Sequence, residues 1–252
     1  MNKAINKNRL IYLISAIGGH FYILFTIPLL TKYLSKDEFG FYIILIQIVV
    51  VTQASLLVLF SNGLLKFWVD IKEEEKKSFM GTILISFLSV ATFIIFLMYL
   101  YRDEFFGFLF PNVNLNLNPT LLYTLLWLFV ISFRSFLLSL IKALERPKFA
   151  LIHIVFYGIL LIGLLYYQLL YADNGISEVM LSFFMAEIVA LGVLFIPTIN
   201  NFKLTFNLEY LKVFMKFSLP LIGGSLAFIA FMNIDRVVLA QYVSLEEMGV
   251  YG

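Results

Sequence analysis

Long apolar runs separated by short polar segments dominate the chain. A membrane-spanning helix needs roughly 20 mostly apolar residues at about 1.5 Å of rise each. Seven such runs fall near residues 10–30, 41–65, 81–101, 120–141, 149–171, 178–199 and 217–243. Stretches such as F-Y-I-I-L-I-Q-I-V-V-V are continuous rather than alternating, which excludes the roughly 10-residue, in–out strands of a membrane barrel. Lys3, Lys7 and Arg9 precede the first run, as they would in a signal peptide. That run is about 21 residues long, beyond the ~7–15 of a signal h-region, and no small-residue cleavage site follows it. It reads as a retained helix.

Composition removes the soluble alternative. Hydrophobic residues make up 62% of the 252-residue chain and charged residues 13%, about half the roughly 25% of soluble domains. With 28 Phe and 14 Tyr, the chain needs lipid as part of its solvent. The absence of Cys excludes disulfides, thiolate metal sites and Cys nucleophiles. A net charge of +2 is too small to point to nucleic acid, but the placement of the charges is informative. Thirteen of the 18 Lys and Arg fall at the amino terminus and in the second, fourth and sixth connections. The opposite connections hold only Lys32, Lys36 and Arg102, and Arg134 and Arg236 lie inside runs. The positive-inside bias places the amino terminus in the cytoplasm. The outer segment from Arg102 to Thr120 is expected to lie along the interface, and K-F-W-V-D-I-K-E-E-E-K-K to form a solvated cytoplasmic helix.

An internal repeat organises the runs. Residues 30–42, L-T-K-Y-L-S-K-D-E-F-G-F-Y, align with residues 239–251, L-A-Q-Y-V-S-L-E-E-M-G-V-Y, at a constant offset of 209. Leu30/Leu239, Tyr33/Tyr242, Ser35/Ser244, Glu38/Glu247, Gly40/Gly249 and Tyr42/Tyr251 are identical. Each copy follows an apolar run on the same expected side of the membrane. Ser followed by an acidic first turn is a helix start, and the Gly permits close packing as the next helix enters lipid. If the seventh run repeats the first, one unit has six helices and the two copies are parallel, with a site expected between the halves.

On these residues, together with F-R-S-F-L-L-S-L-I-K-A-L-E-R-P-K-F-A and F-S-L-P-L-I-G-G-S-L-A-F-I-A-F-M-N-I-D-R, the chain resembles the polysaccharide biosynthesis family of Wzx-type O-antigen flippases. That family belongs to the multidrug/oligosaccharidyl-lipid/polysaccharide exporter superfamily. The resemblance implies an all-α polytopic bundle: the first six-helix lobe of a two-lobe MATE-like fold, plus the first helix of the second lobe. The expected division is a lobe at 1–200, a cytoplasmic linker at 201–216, and a second lobe begun at 217–252 and cut short. It also implies export of a lipid-linked oligosaccharide across the bacterial inner membrane, with cavity cations holding the anionic headgroup. Arg134 and Arg236 are the matching positions. The expected partners are the lipid-linked sugar, membrane lipid and other polysaccharide assembly proteins.

A charge near the bilayer centre costs at least ~2.5–3.5 kcal/mol, so each one needs a reason. Arg134 reads as a cavity cation, as the partner of a buried carboxylate such as Glu187, or as a snorkel; Ser132, Ser135 and Ser139 form a polar stripe beside it. Glu187 reads as a proton or sodium coupling site, as the structural partner of Arg134, or as a neutral acid bonded to a neighbouring backbone. Asp235 and Arg236 read as an interfacial pair or as part of an outer gate. Tyr12, Ser15, Gly19, Tyr22 and Thr26 share one face of the first run, joined by Gly18, and either pack helices or wet a cavity. Gln47 belongs to a similar stripe on the second run. His20 and His153 form no metal motif and read as satisfied or interfacial histidines, with a proton switch as the alternative. Gly18 and Gly19 with Pro28, and Pro220 with Gly223 and Gly224, allow bends, although the glycine pairs are 205 rather than 209 residues apart.

No Walker A, H-E-x-x-H, G-x-S-x-G or Gly-rich nucleotide loop is present, so no cofactor, metal or enzymatic activity is expected. The leading expectation is a flippase working by alternating access. The alternatives are a cation-coupled exporter of the same superfamily, and a non-transporting or enzymatic membrane component of polysaccharide assembly.

Overall fold

Lipid offers the backbone no hydrogen bonds, so each apolar run must close its own ladder as a helix. The computed structural model describes residues 10–15, 17–18, 21–109, 118–171 and 175–251, excluding the side chains of 108–109, 226, 229–230, 232–237, 240–241 and 251. Residues 10–15 are helical and are followed by α1 (Ile23–Tyr33), α2 (Lys36–Asp70), α3 (Lys76–Leu100) and α4 (Arg102–Leu109). Next come α5 (Thr120–Ala143), α6 (Pro147–Tyr171) and α7 (Ile176–Thr198), which ends in a 3-10 turn, and then α8 (Leu208–Tyr242) and α9 (Leu245–Tyr251). There is no strand among the described residues. Helices α2, α3, α5, α6 and α7 are each long and apolar enough to cross a membrane. The chain is an all-α membrane protein.

The element boundaries correct the sequence reading where polar caps extend a helix beyond its apolar run. The second helix begins at Lys36, ahead of the apolar run near residue 41, at the helix start read from Ser35 and its acidic first turn; Ser35 and Glu38 form a reciprocal capping box. The last long helix begins at Leu208, inside the segment expected as a linker. There the Asn207 side chain accepts from the backbone N–H groups of Glu209 and Tyr210, at 2.8 and 3.4 Å. The charged segment at 66–77 is not one helix: α2 stops at Asp70, Ile71 is extended, and α3 starts at Lys76. The outer segment forms α4, whose Phe106 is buried in the core; residues 110–117 lie outside the described residues.

The connections sort to two ends. At one end the segment 202–207 lies against the start of α3. The Lys203 N–H donates to the Lys77 carbonyl at 2.9 Å, and Thr82 donates to the Thr205 carbonyl at 3.2 Å. Gly81 leaves room for the Lys203 carbonyl, which any Cβ would strike. Nearby, Arg146 donates to the Pro197 carbonyl at 2.9 Å. At the other end the Thr120 and Ser177 hydroxyls are 2.5 Å apart, and Gly175 admits the Glu38 carboxylate. Two apolar clusters fill the space between, one built on Leu45, Leu128 and Leu161 and the other on Phe60, Phe87 and Phe136. In the second, Phe214 of α8 stacks on Phe60 of α2, and Gly63 makes space for Phe214 and Ser218.

The two repeat copies meet face to face. Each is a helix–corner–helix with the same cap: Ser244 and Glu247 reproduce the reciprocal bonds of Ser35 and Glu38, at 2.9 and 3.3 Å. A Cβ on Gly40 would strike the Leu245 carbonyl, and one on Gly249 would strike the Lys36 carbonyl. Applying the 209-residue offset exchanges these two contacts, so the interface is reciprocal in the manner of a two-fold contact. Lys36 also pairs with Glu246 at 2.7 Å. The hydrogen bond and charge of Lys36 hold the Glu246 carboxyl below its usual range. That small contribution is present at neutral pH and is lost as pH falls through the lowered value.

Gly40→Ala is expected to cost about 1–3 kcal/mol through forced separation of the two corners, read as a lower Tm in detergent. Gly107→Ala, where a Cβ meets nothing within 4 Å, is the matched control and should leave Tm unchanged or higher.

Candidate functional site

Three ionisable side chains from different helices converge where the two apolar clusters join. Arg134 projects from α5, between Ile131 of one cluster and Phe136 of the other. Its Nε lies 3.3 Å from Glu187 Oε1 on α7, and His153 Nε2 on α6 lies 3.4 Å from the same oxygen. Glu187 and His153 are 0% exposed, whereas Arg134 retains 18%. Ala186 and Ala190 flank the carboxylate on α7 and are fully buried, and such small residues let membrane helices approach closely. His153 and Tyr157, one helical turn apart on α6, stack with ring centroids 6.2 Å apart. Tyr22 of the first run meets Tyr157 edge-on at 5.3 Å.

The cluster is close but under-bonded. Arg134 Nε, both His153 nitrogens and both Glu187 oxygens are buried without a hydrogen-bond partner. Buried polar atoms are ordinarily paired, and exceptions point to strain or function. Here one carboxylate oxygen is shared between a cation and an imidazole, and the second oxygen has no donor. An acid, a base and a fixed cation in apolar surroundings have the composition of a proton-exchange site. Among the described residues, no group of three or more His, Asp or Glu side chains is arranged to hold a metal ion.

The other residues selected from sequence have different surroundings. The Ser135 and Ser139 hydroxyls donate to the carbonyls of Ile131 and Ser135 at 2.9 and 3.0 Å, and Gln53 donates to the Ser135 hydroxyl at 2.7 Å. All three serines of the stripe are buried. On the first run, Ser15 and Thr26 are buried and bonded within their own helix, and Tyr12 donates to the Ile141 carbonyl at 3.3 Å. A Cβ on Gly18 would lie 3.7 Å from Ile154, and one on Gly158 3.6 Å from Tyr22. The adjoining cleft of ≈ 290 Å³ is lined mainly by apolar residues including Ile14, Phe25 and Ile159. The described members of this face thus bond within their own helix or touch α5 and α6.

Gln47 is buried on α2. Pro28 lies inside α1, and Pro220, Gly223 and Gly224 lie inside an α8 that runs without interruption; open space surrounds both glycines. Gly19 and His20, and the side chains of Asp235 and Arg236, lie outside the described residues. The sequence reading missed His153 as a member of the cluster. Its one usable signal was the His153–Tyr157 spacing in an otherwise apolar helix.

No family model, curated protein or solved structure matches the chain.

Breaking a buried ion pair from one side costs about 3–5 kcal/mol, while replacing both members with packed apolar groups is often neutral or stabilising. Arg134→Ala is therefore expected to lower unfolding stability in detergent by about that amount. Arg134→Met combined with Glu187→Leu should recover most of the loss. Equal losses in the single and double variants would show that the two residues are not coupled.

Proposed function

We propose that the chain belongs to a transporter that moves a polyprenyl-(pyro)phosphate-linked oligosaccharide across the bacterial inner membrane by alternating access. Such a sugar would be an O-antigen, capsule or exopolysaccharide unit, and the amino terminus would face the cytoplasm. The observation that carries the reading is the reciprocal contact of the two repeat corners, with Gly40 against Leu245 and Gly249 against Lys36. Parallel repeats related by an axis along the membrane normal are a transporter architecture, with the substrate site between the halves. In this reading α8 opens the second lobe and packs on α2 through Phe60 and Phe214. Lipid and other polysaccharide assembly proteins are its neighbours.

A cation-coupled exporter of the same superfamily is the second reading. The specific observation in its favour is the fully buried Glu187 between Arg134 and His153.

The two readings separate in cells deleted for this protein. Under the first, lipid-linked sugar accumulates on the inner leaflet, the full-length protein restores export, and drug susceptibility does not change. The paired change Arg134→Gln with Glu187→Gln, which keeps the pair neutral and both side chains polar, should lower export at least tenfold. Normal export by that variant and by Arg236→Ala would sink the cationic role. Under the second reading, deletion raises drug susceptibility and leaves the glycan untouched.

Gly223→Ala and Gly224→Ala test the bend. Each adds about 1 kcal/mol of helix propensity in open space, so Tm should hold or rise. A hinge role predicts that export falls while Tm does not, and full export would remove that role.

A further inference from the structure

We propose that Glu187 is a proton-binding site at which a proton and Arg134 compete, so that an oxyanion drawing Arg134 away loads a proton onto Glu187. The proposal deepens the reading above: the identity of the oxyanion as a lipid headgroup rests on it, whereas the proton site does not.

Glu187 is the one buried carboxyl among the described residues. Arg134 faces it from α5 and His153 from α6, with Tyr157 and Tyr22 in line behind the histidine. Helix α2 presents Tyr42, which lies 6.1 Å from Phe183 of α7, and the neutral Gln53, bonded beside Arg134 to Ser135. The carboxylate has one cation for balance and no hydrogen bond on either oxygen. Buried ionised carboxylates are costly unless they are both paired and hydrogen-bonded. If a proton is added, the neutral acid donates its O–H to His153 Nε2, which already stands 3.4 Å from Oε1. One exchange then resolves two unsatisfied groups.

The exchange releases Arg134, whose 18% exposure distinguishes it from its fully buried partners. A guanidinium binds the oxygens of phosphate or sulfate bidentately. The step balances: a proton from water forms the O–H bond on Glu187, Arg134 stays protonated throughout, and its counter-charge passes from the carboxylate to the incoming anion. A sodium ion does not fit the same place. Hard cations take several oxygen ligands, whereas the cation and the imidazole beside the Glu187 oxygen both present nitrogens. Linkage makes the coupling reciprocal, so the anion promotes proton uptake and low pH tightens anion binding.

The test uses the full-length protein in phosphatidylcholine nanodiscs with inorganic sulfate, whose charge is constant across the range. Binding is followed by calorimetry at about pH 6, 7 and 8, and proton uptake by an indicator dye in weak buffer. The expected result is about one proton taken up per sulfate bound, with affinity falling up to about tenfold per pH unit. Glu187→Gln should bind sulfate at least as tightly, with no uptake and no pH dependence; Arg134→Gln should not bind it. The proposal is overturned by absence of sulfate binding in the wild type, by binding without proton uptake, or by uptake that survives Glu187→Gln. If Glu187→Gln fails to fold, His153→Gln decides: linked uptake that persists keeps the proton on Glu187, and uptake that is lost overturns the proposal. A second arm at about pH 7 adds polyprenyl phosphate to the discs. Displacement of sulfate assigns Arg134 to a lipid headgroup, and undisturbed sulfate binding assigns it to a free anion. Linked uptake in a protein whose deletion leaves export intact sinks the transporter reading alone; restored export without linked uptake sinks this one alone.

Discussion

A hydrocarbon solvent accepts and donates no hydrogen bonds, and the rest of the structure follows from that restriction. Backbone groups are satisfied by helices, and side-chain hydroxyls turn back onto their own helix. Ser55, Ser86, Thr124, Ser182 and Thr198 each donate to a carbonyl one turn earlier, a local bond that competes with helix geometry in water but has few rivals in lipid. Caps that need exposed backbone groups are placed at the ends, where Ser35, Asn207 and Ser244 sit. The apolar exterior, with Phe93, Ile159 and Phe231 more than half exposed, is a surface matched to lipid rather than a defect.

Under the same restriction, the Arg134–Glu187 pair is a costly feature among the described residues. It lies where the cluster around Leu128 gives way to the cluster around Phe136, so charge separates two regions of otherwise continuous apolar packing. Its atoms are close to one another, yet both carboxylate oxygens remain without a hydrogen-bond donor.

The helices were legible because the lipid thickness imposes a length that sequence alone can display. Their ends were legible unevenly: the Ser35 cap could be read from its acidic first turn, but Asn207 extends α8 by polar capping that an apolar window does not register. Arg134 and Glu187 could each be singled out, and one named as partner of the other, because charge is conspicuous in an apolar run. His153 could not, since its role depends on how α6 and α7 pack rather than on any period along α6. Gly63 and Gly81 were silent for a related reason: a glycine among apolar residues carries no pattern until Phe214 or the Lys203 carbonyl arrives against it. The repeat was legible as identity, but the contact between its two copies was not.

That contact has a mechanical character of its own. At Gly40 and Gly249 the two corners touch backbone to backbone, and beside them Met248 of one corner is buried in the same cluster as Phe39 of the other. The charged link across them, Lys36 to Glu246, is exposed and readily exchanged for water. The joint therefore behaves as a seated peg rather than a smooth bearing: parting the corners means drawing Met248 out of the apolar cluster. The close fit also makes the twins interdependent, because a bulkier residue at either glycine displaces the backbone of the other corner.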